Sequence, residues 1–310
     1  MNNKLIVILG PTASGKSLLA VKLALFFEKK FGQKFEIISA DSRQVYKGMD
    51  IGTDKVPKDK NSKEYLYYGI PHHLLDVVSP KRRFTVAHYQ KLASKKINEI
   101  LKKDKIPLIV GGSGFYIYAL IDGLVIPHVK PNWQLRKKLE KKSVNELYKM
   151  LKKLDPQRAK NIERKNPRRL IRALEIVLTT KKPVPPLKKN PLPYQILIIG
   201  IKKTKKELKK LIKKRLIKRL KRGLIEEVKK LKKSGLSWKR LEEFGLDYRW
   251  VAFYLQKKIT YQEMVDQLLR AIEQFSRRQM SWFKRDKRIK WIKNYQEAKK
   301  LINDFLKNKK

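Results

Sequence analysis

The chain has 310 residues, 77 Lys+Arg against 28 Asp+Glu, a formal net charge of +49 and no cysteine. A hydrophobic share of 42% supports a sizeable core and excludes wholesale disorder. The absence of Cys excludes disulfides, thiolate nucleophiles and Cys-based zinc sites, and fits a reducing, cytoplasmic setting.

In chain order, short apolar runs alternate with amphipathic stretches, a pattern that predicts βαβ units and a parallel sheet. The strands expected are Leu5–Leu9, Phe35–Ser39, Ile106–Val110 and, much later, Gln195–Ile201. Leu5–Leu9 is too short for a signal peptide, and no stretch is long and apolar enough to span a membrane. Helices are expected from Lys16 to about Lys30, with Leu19, Leu23, Phe26 and Phe27 on one face, and from Val86 to Lys102. From Asp122 to Pro193 no strand is evident. Ser143 with Glu146 forms a capping box opening a helix to Leu154, and Asn166-Pro167 signals another start. The proline-rich KKPVPPLKKNPLP closes this stretch as a stiff hinge. The expected layout is a core of residues 1–121 and 194–310 around an all-helical insertion, 122–193. Beyond Lys202 the chain is helical, with an apolar stripe of Leu208, Leu211, Ile212, Leu216, Leu220, Ile225 and Val228 among lysines.

GPTASGKS, covering Gly10, Pro11, Thr12, Ala13, Ser14, Gly15, Lys16 and Ser17, fits G-x-x-x-x-G-K-[ST] between a strand and a helix. Its glycines let successive N–H groups curl inward, Lys16 adds a point charge, Ser17 can reach Mg2+, and the helix N-terminus favours an anion. A di- or triphosphate is expected here. An ATPase or GTPase usually adds a strand ending in Asp, whereas the Ile106 strand runs into Gly-Gly-Ser-Gly. That weakens the ATPase reading and leaves a small-molecule kinase open.

Ligands of open α/β sheets bind beyond the carboxyl ends of strands. Two further loops lie there by order, one carrying Asp41, Ser42, Arg43 and Gln44, the other Ser113. Asp41 can face the phosphate site or cap the following segment. His72 and His73 lack acidic or cysteine partners at metal-ligand spacing, so packing or substrate lining is expected of them.

GPTASGKS, SADSRQVYKGMDIGTDK, GIPHHLLD, VGGSGFYIYAL, NPRRLIRALEI and RRQMSWFKRD occur in this order, and together resemble the pattern of the tRNA dimethylallyltransferases, or tRNA isopentenyltransferases. The likeness runs from Lys4 to about Asp286. It implies a P-loop NTPase-like α/β core that transfers a dimethylallyl group from dimethylallyl diphosphate to N6 of the adenosine 3′-adjacent to the anticodon, in tRNAs reading codons that begin with U. It also implies that Gly10–Ser17 hold diphosphate rather than ATP, with Mg2+ as cofactor, and that Asp41 is the general base. Asp41, Ser42, Arg43 and Gln44 would contact the flipped base and its neighbours. Ser113 stands where the family usually has Thr, near the bridging oxygen of the diphosphate. Arg136 matches an arginine near the diphosphate and tRNA, and Arg168, Arg169, Leu170, Ile171 and Arg172 match a tRNA-contacting segment. The zinc finger of many eukaryotic members is absent, as zero Cys demands.

The chemistry is coherent, because an exocyclic adenine amine is a poor nucleophile that needs a base, and the leaving group needs its charge neutralised. The adenosine must also leave the anticodon-loop stack. Tyr116, Tyr118, Trp282 and Phe283 are candidates for stacking or lining, with core packing the alternative for the first two. Rival readings are an isopentenyltransferase for free adenine nucleotide, a P-loop kinase, and a basic nucleic-acid binder with a vestigial P-loop. The insertion and the basic C-terminal half favour tRNA. A monomer is expected.

Overall fold

In the computed structural model, which describes residues 3–60 and 62–308, the apolar run near the start forms β1 (Lys4–Leu9). Every residue from Leu5 to Leu9 is buried, the mark of a strand covered on both faces in a parallel sheet. The chain continues through α1 (Lys16–Phe31), β2 (Phe35–Ala40), the short β3 (Leu66–Tyr67) and β4 (Ile70–His73), α2 (Val86–Lys102), β5 (Ile106–Gly111) and α3 (Gly114–Ile121). Four helices follow: α4 (Trp133–Glu140), α5 (Val144–Leu154), α6 (Pro156–Asn161) and α7 (Pro167–Thr180). The sheet resumes with β6 (Gln195–Ile201). Then come α8 (Lys205–Lys221), α9 (Leu224–Lys233), α10 (Trp238–Phe244), α11 (Leu246–Leu255), α12 (Tyr261–Phe283), β7 (Lys290–Ile292) and α13 (Tyr295–Lys307).

The seven strands lie in the order β3-β4-β2-β5-β1-β6-β7, parallel except for the β3–β4 hairpin. β1 sits between β5 and β6, with Ile6 opposite both Leu108 and Leu197. Successive side chains of β1 alternate between two apolar layers. Leu5, Val7 and Leu9 pack with Tyr89, Ile97, Ile117 and Leu120 of α2 and α3. Ile6 and Ile8 pack with Val21, Phe27 and Ile302 of α1 and α13. A third cluster joins Val45 and Met49 to α8–α12 through Leu216, Leu224, Val251 and Leu268.

The α/β sheet and its flanking helices agree with the sequence reading, and α2 has the expected bounds. Three strands were not anticipated. β3 and β7 are only two and three residues long, and β4 reads Ile-Pro-His-His, which conceals its strand character. Its histidines serve the sheet edge: His72 is buried with Nδ1 2.9 Å from Ile70 O, and His73 Nε2 lies 2.7 Å from Glu36. The apolar stripe after Lys202 is divided between α8 and α9 by Gly223, whose φ of 92° ends the helical path. Leu211 falls off that stripe and is exposed.

Up to Asp122 and again from Pro191 the chain forms one compact unit, and Gly123–Asn190 forms a second. The second is built on Leu139, Leu147, Leu151, Leu170 and Leu174. Its helix starts follow the capping signals: Ser143 and Glu146 exchange both capping-box hydrogen bonds, and Asn166 accepts from Arg169 N–H with Pro167 behind it. Asp155 caps α6 and accepts from Val184 N–H, fastening the returning chain to the helices.

Candidate active site

β2, β5 and β1 are neighbours, so the loops leaving their carboxyl ends converge along one edge of the sheet. These loops carry Asp41, Ser113 and Gly10–Ser17. The P-loop turns through Ala13 at φ 62° and Gly15 at φ 87°, a left-handed conformation that suits Gly15. Gly15 caps α1 without a side-chain hydrogen bond, and the first turn carries no acid, so the positive helix end is left to a ligand. Ser14 Oγ is buried with no hydrogen-bond partner among the described residues. Lys16 Nζ rests on Pro11 O at 2.7 Å. Burial, then the charge of Arg215, push the Lys16 ammonium down to about 7, while Asp41 acts in the opposite direction. An orphaned hydroxyl and a destabilised ammonium over an open helix end are what an anion would satisfy.

Asp41 follows β2 directly. Its Oδ1 accepts from Arg43 N–H at 2.8 Å and Gln44 N–H at 3.3 Å, so the carboxylate does cap the next turn. Asp41 Oδ2 makes no hydrogen bond to a described residue. Ser113 closes the gap to this loop, because its Oγ accepts from Ser42 N–H at 3.1 Å. A hydroxyl with a lone pair so engaged still has its proton to donate. Asp41 and Ser113, far apart in sequence, are thereby joined through one residue.

Four residues that the sequence reading did not single out, Gln279, Arg215, Asp54 and Glu227, build the rest of the site. Gln279 on α12 accepts from Thr12 N–H at 2.8 Å and donates to Gly112 O at 2.8 Å. Arg215 on α8 donates to Thr12 Oγ1 at 3.3 Å, and its Nε lies 2.5 Å from Asp54. The Asp54 loop is itself anchored. Buried Glu227 accepts the N–H groups of Asp50, Ile51 and Gly52 and the hydroxyl of Tyr248. A readable signal existed for Arg215, since it falls beside Ile212, Leu216 and Arg219 on the inward stripe of α8, where a lone solvated lysine would not be placed.

The other sequence candidates are distributed unevenly. Gln44 is turned inward, with Oε1 accepting from Ser39 Oγ and Nε2 donating to Thr53 O. Arg43 donates from Nε to Phe244 O. Tyr116 and Phe283 are core residues, whereas Trp282 is exposed. In the helical unit Arg136 grips buried Glu175 through Nε and Nη2 at 2.7 and 2.5 Å, and Arg172 joins it at 2.6 Å. Burial pushes the Glu175 carboxyl up, but the two guanidiniums overcome this and hold it below its usual value. Leu170 and Ile171 are corrected here. Both are buried among Leu147, Leu151 and Leu174, so they hold α7 in place and offer no contact surface. Arg168 and Arg169 remain exposed, the latter 3.4 Å from Glu163.

The IPP transferase family profile matches residues 44–286. A tRNA dimethylallyltransferase of Acetivibrio thermocellus is 40% identical over 298 residues, covering 94% of this chain and 91% of that protein. The chain belongs to the IPP transferase family. The profile begins after the P-loop, so this assignment does not lean on the phosphate motif. Another family member, tRNA dimethylallyltransferase 1 of Syntrophus aciditrophicus, is 40% identical over 318 residues, covering 99% of this chain and all of that one. Among solved structures, the tRNA isopentenylpyrophosphate transferase of Bacillus halodurans superposes with a TM-score of 0.69 at 32% identity, over 98% of this chain and 96% of that one. A eukaryotic dimethylallyltransferase acting on tRNA shares the fold, with a TM-score of 0.77 at 24% identity, over 100% of this chain and 81% of that one. As an IPP transferase, the protein is a prenyl-transferring enzyme.

Proposed function

We propose that this protein is a tRNA dimethylallyltransferase. It moves the dimethylallyl group of dimethylallyl diphosphate to N6 of the adenosine 3′-adjacent to the anticodon, in tRNAs reading codons that begin with U, and releases diphosphate. It acts as a monomer in the cytoplasm; no described helix is long and apolar enough to cross a membrane. The observation that carries the reading is the link from Asp41 through Ser42 N–H to Ser113 Oγ, beside the P-loop.

In the reaction the N6 lone pair attacks C1 of the prenyl group, the C1–O bond breaks, and its electron pair leaves on the diphosphate. Asp41 Oδ2 receives the N6 proton, while Oδ1 stays on the Arg43 and Gln44 amides. Ser113 donates its hydroxyl proton as a hydrogen bond to the departing oxygen. The P-loop amides, Ser14 Oγ, Lys16 and Arg215 hold the diphosphate. Binding of that anion favours the charged form of Lys16, against the burial that lowers it.

Mg2+ is the proposed cofactor. Among the described residues no three His, Cys, Asp or Glu side chains gather to hold a metal by themselves. The donor set fits an ion carried mainly on substrate phosphate and water, which is the usual habit of Mg2+, with Ser17 Oγ as the protein ligand. Bound there, it would neutralise charge on the diphosphate oxygens. Arg168 and Arg169 are proposed as phosphate contacts for the anticodon stem-loop, and Arg136 as a further tRNA contact. Mass analysis of nucleosides after incubation with dimethylallyl diphosphate and bulk tRNA is the test. N6-dimethylallyladenosine in the digest is expected. Transfer to AMP with none to tRNA would overturn the acceptor, and hydrolysis of ATP without tRNA would favour a kinase-like enzyme.

A further inference from the structure

The ladder between β1 and β5 ends at Leu9 opposite Gly111. Past that pair, among the described residues, no backbone hydrogen bond joins Gly10–Thr12 to Gly112–Ser113. The connection is instead made by one side chain from the far end of the chain. Gln279, 7% exposed on α12, takes the Thr12 N–H on Oε1 and gives Nε2 to Gly112 O, both at 2.8 Å. Each partner accepts only one orientation of the amide, since Thr12 N–H must meet an oxygen and the Gly112 carbonyl must meet a donor. The fit is tight as well, because a Cβ on Gly112 would collide with Gln279 Nε2.

We propose that Gln279 is a positioning residue that sets the register between the diphosphate-holding loop and Ser113. The inference rests on the roles given above to Gly10–Ser17 and Ser113. Both polar atoms of the Gln279 amide are engaged by the two loops themselves. Its rung spans the two loops that hold the leaving group, the P-loop on the phosphates and Ser113 on the bridging oxygen of the C1–O bond being broken. A small slip between these loops lengthens the Ser113 hydrogen bond while leaving each loop intact. Such misplacement costs turnover more than binding.

The test is a double-mutant cycle on the full chain, with dimethylallyl diphosphate and an anticodon stem-loop. Ser113→Ala should lower kcat by roughly 10²–10³, the usual loss for one such donor. Gln279→Leu, which keeps volume and loses both hydrogen bonds, should lower kcat by about tenfold to a hundredfold with the tRNA KM unchanged. The double variant should fall little below Ser113→Ala, because the register no longer matters once the hydroxyl is gone. Multiplicative losses, or a wild-type kcat for Gln279→Leu, would overturn the proposal. Gln279→Glu gives a second readout that a merely structural role would not give. Its carboxylate still accepts from Thr12 N–H but repels the Gly112 carbonyl, so its kcat relative to wild type should rise as pH falls and the acid protonates. A flat ratio counts against the rung. Binding of inorganic pyrophosphate to wild type and both variants separates the two readings. A weakening of only a few-fold in Gln279→Leu that disappears on the Ser113→Ala background supports the rung even if wild type transferred no prenyl group, an outcome that would sink only the proposed function. Unchanged pyrophosphate affinity beside unchanged turnover sinks the rung alone.

Discussion

Asp41 Oδ1 is occupied by the amides of Arg43 and Gln44, so the carboxylate holds one orientation before any ligand arrives. This makes Asp41→Asn a clean test, because the amide oxygen of Asn can accept the same two bonds and keep the turn. Only the proton acceptor is lost. The variant should retain tRNA affinity while kcat falls by roughly 10²–10⁴, the range for a general base. Near wild-type turnover would remove Asp41 from that role. Glu36 shows a carboxylate used for stability. The His73 hydrogen bond is the largest influence, burial opposes it, and Lys105 adds to it, so the acid is held down at about 2. A depressed carboxyl stabilises the fold above its unfolded value of 4.5 and loses that contribution as pH falls toward 2. Glu36→Gln should therefore be less stable at neutral pH and show a flatter decline in this acid window. Denaturant midpoints measured down the acid limb check it; parallel curves for the two proteins would contradict it.

At the scale of elements, α7 divides its work by face. Its inward side is Leu170, Ile171 and Leu174, and Arg172 is tied to Glu175. Arg168 stands exposed one turn earlier, next to the N-terminus of the helix. Arg168→Ala should therefore weaken stem-loop binding and reduce the slope of log affinity against log salt by about one, as one lost phosphate contact does. Arg172→Ala should act differently. It strips one cation from a buried carboxylate and should lower the thermal stability of the helical unit. A salt titration of both variants, with melting curves alongside, separates them; an unchanged slope in Arg168→Ala would sink the contact. The same contrast explains how much was legible in the sequence. The P-loop, α2 and the caps at Ser143 and Asn166 depend on residues within a few positions, so pattern and composition reveal them. Asp41, Ser42 and Ser113 were found from motif resemblance and strand-end order together. Gln279, Asp54 and Glu227 were not found, because each acts on a partner more than a hundred residues away that only the folded chain supplies. Leu170 and Ile171 were misread for a related reason: a segment that carries contacting arginines also carries its own anchors, and burial alone tells them apart.

For the whole molecule, a charge of +49 acts at a distance that no single site controls. Lysines lie on most exposed helix faces, including α5, α8 and α9, so the field attracts any RNA from many directions. Attraction of this kind releases counterions and falls steeply with salt, by about 10³ or more between roughly 50 and 200 mM for some six phosphate contacts. The prenyl-transfer site has the opposite character. Its groups are partly buried and close together, within a distance that salt screens poorly. Raising salt should therefore raise the KM for tRNA sharply and leave kcat at saturating tRNA nearly constant. At low salt an unrelated hairpin should compete with the stem-loop almost as well as the stem-loop itself, and at higher salt it should cease to compete if the base contacts proposed for the Asp41 loop carry recognition. Initial rates over a salt series, with and without the unrelated hairpin, measure both effects. A kcat that falls in step with affinity would show that the diffuse lysine field reaches into the chemistry. A hairpin that still competes at high salt would show that recognition rests on phosphate alone.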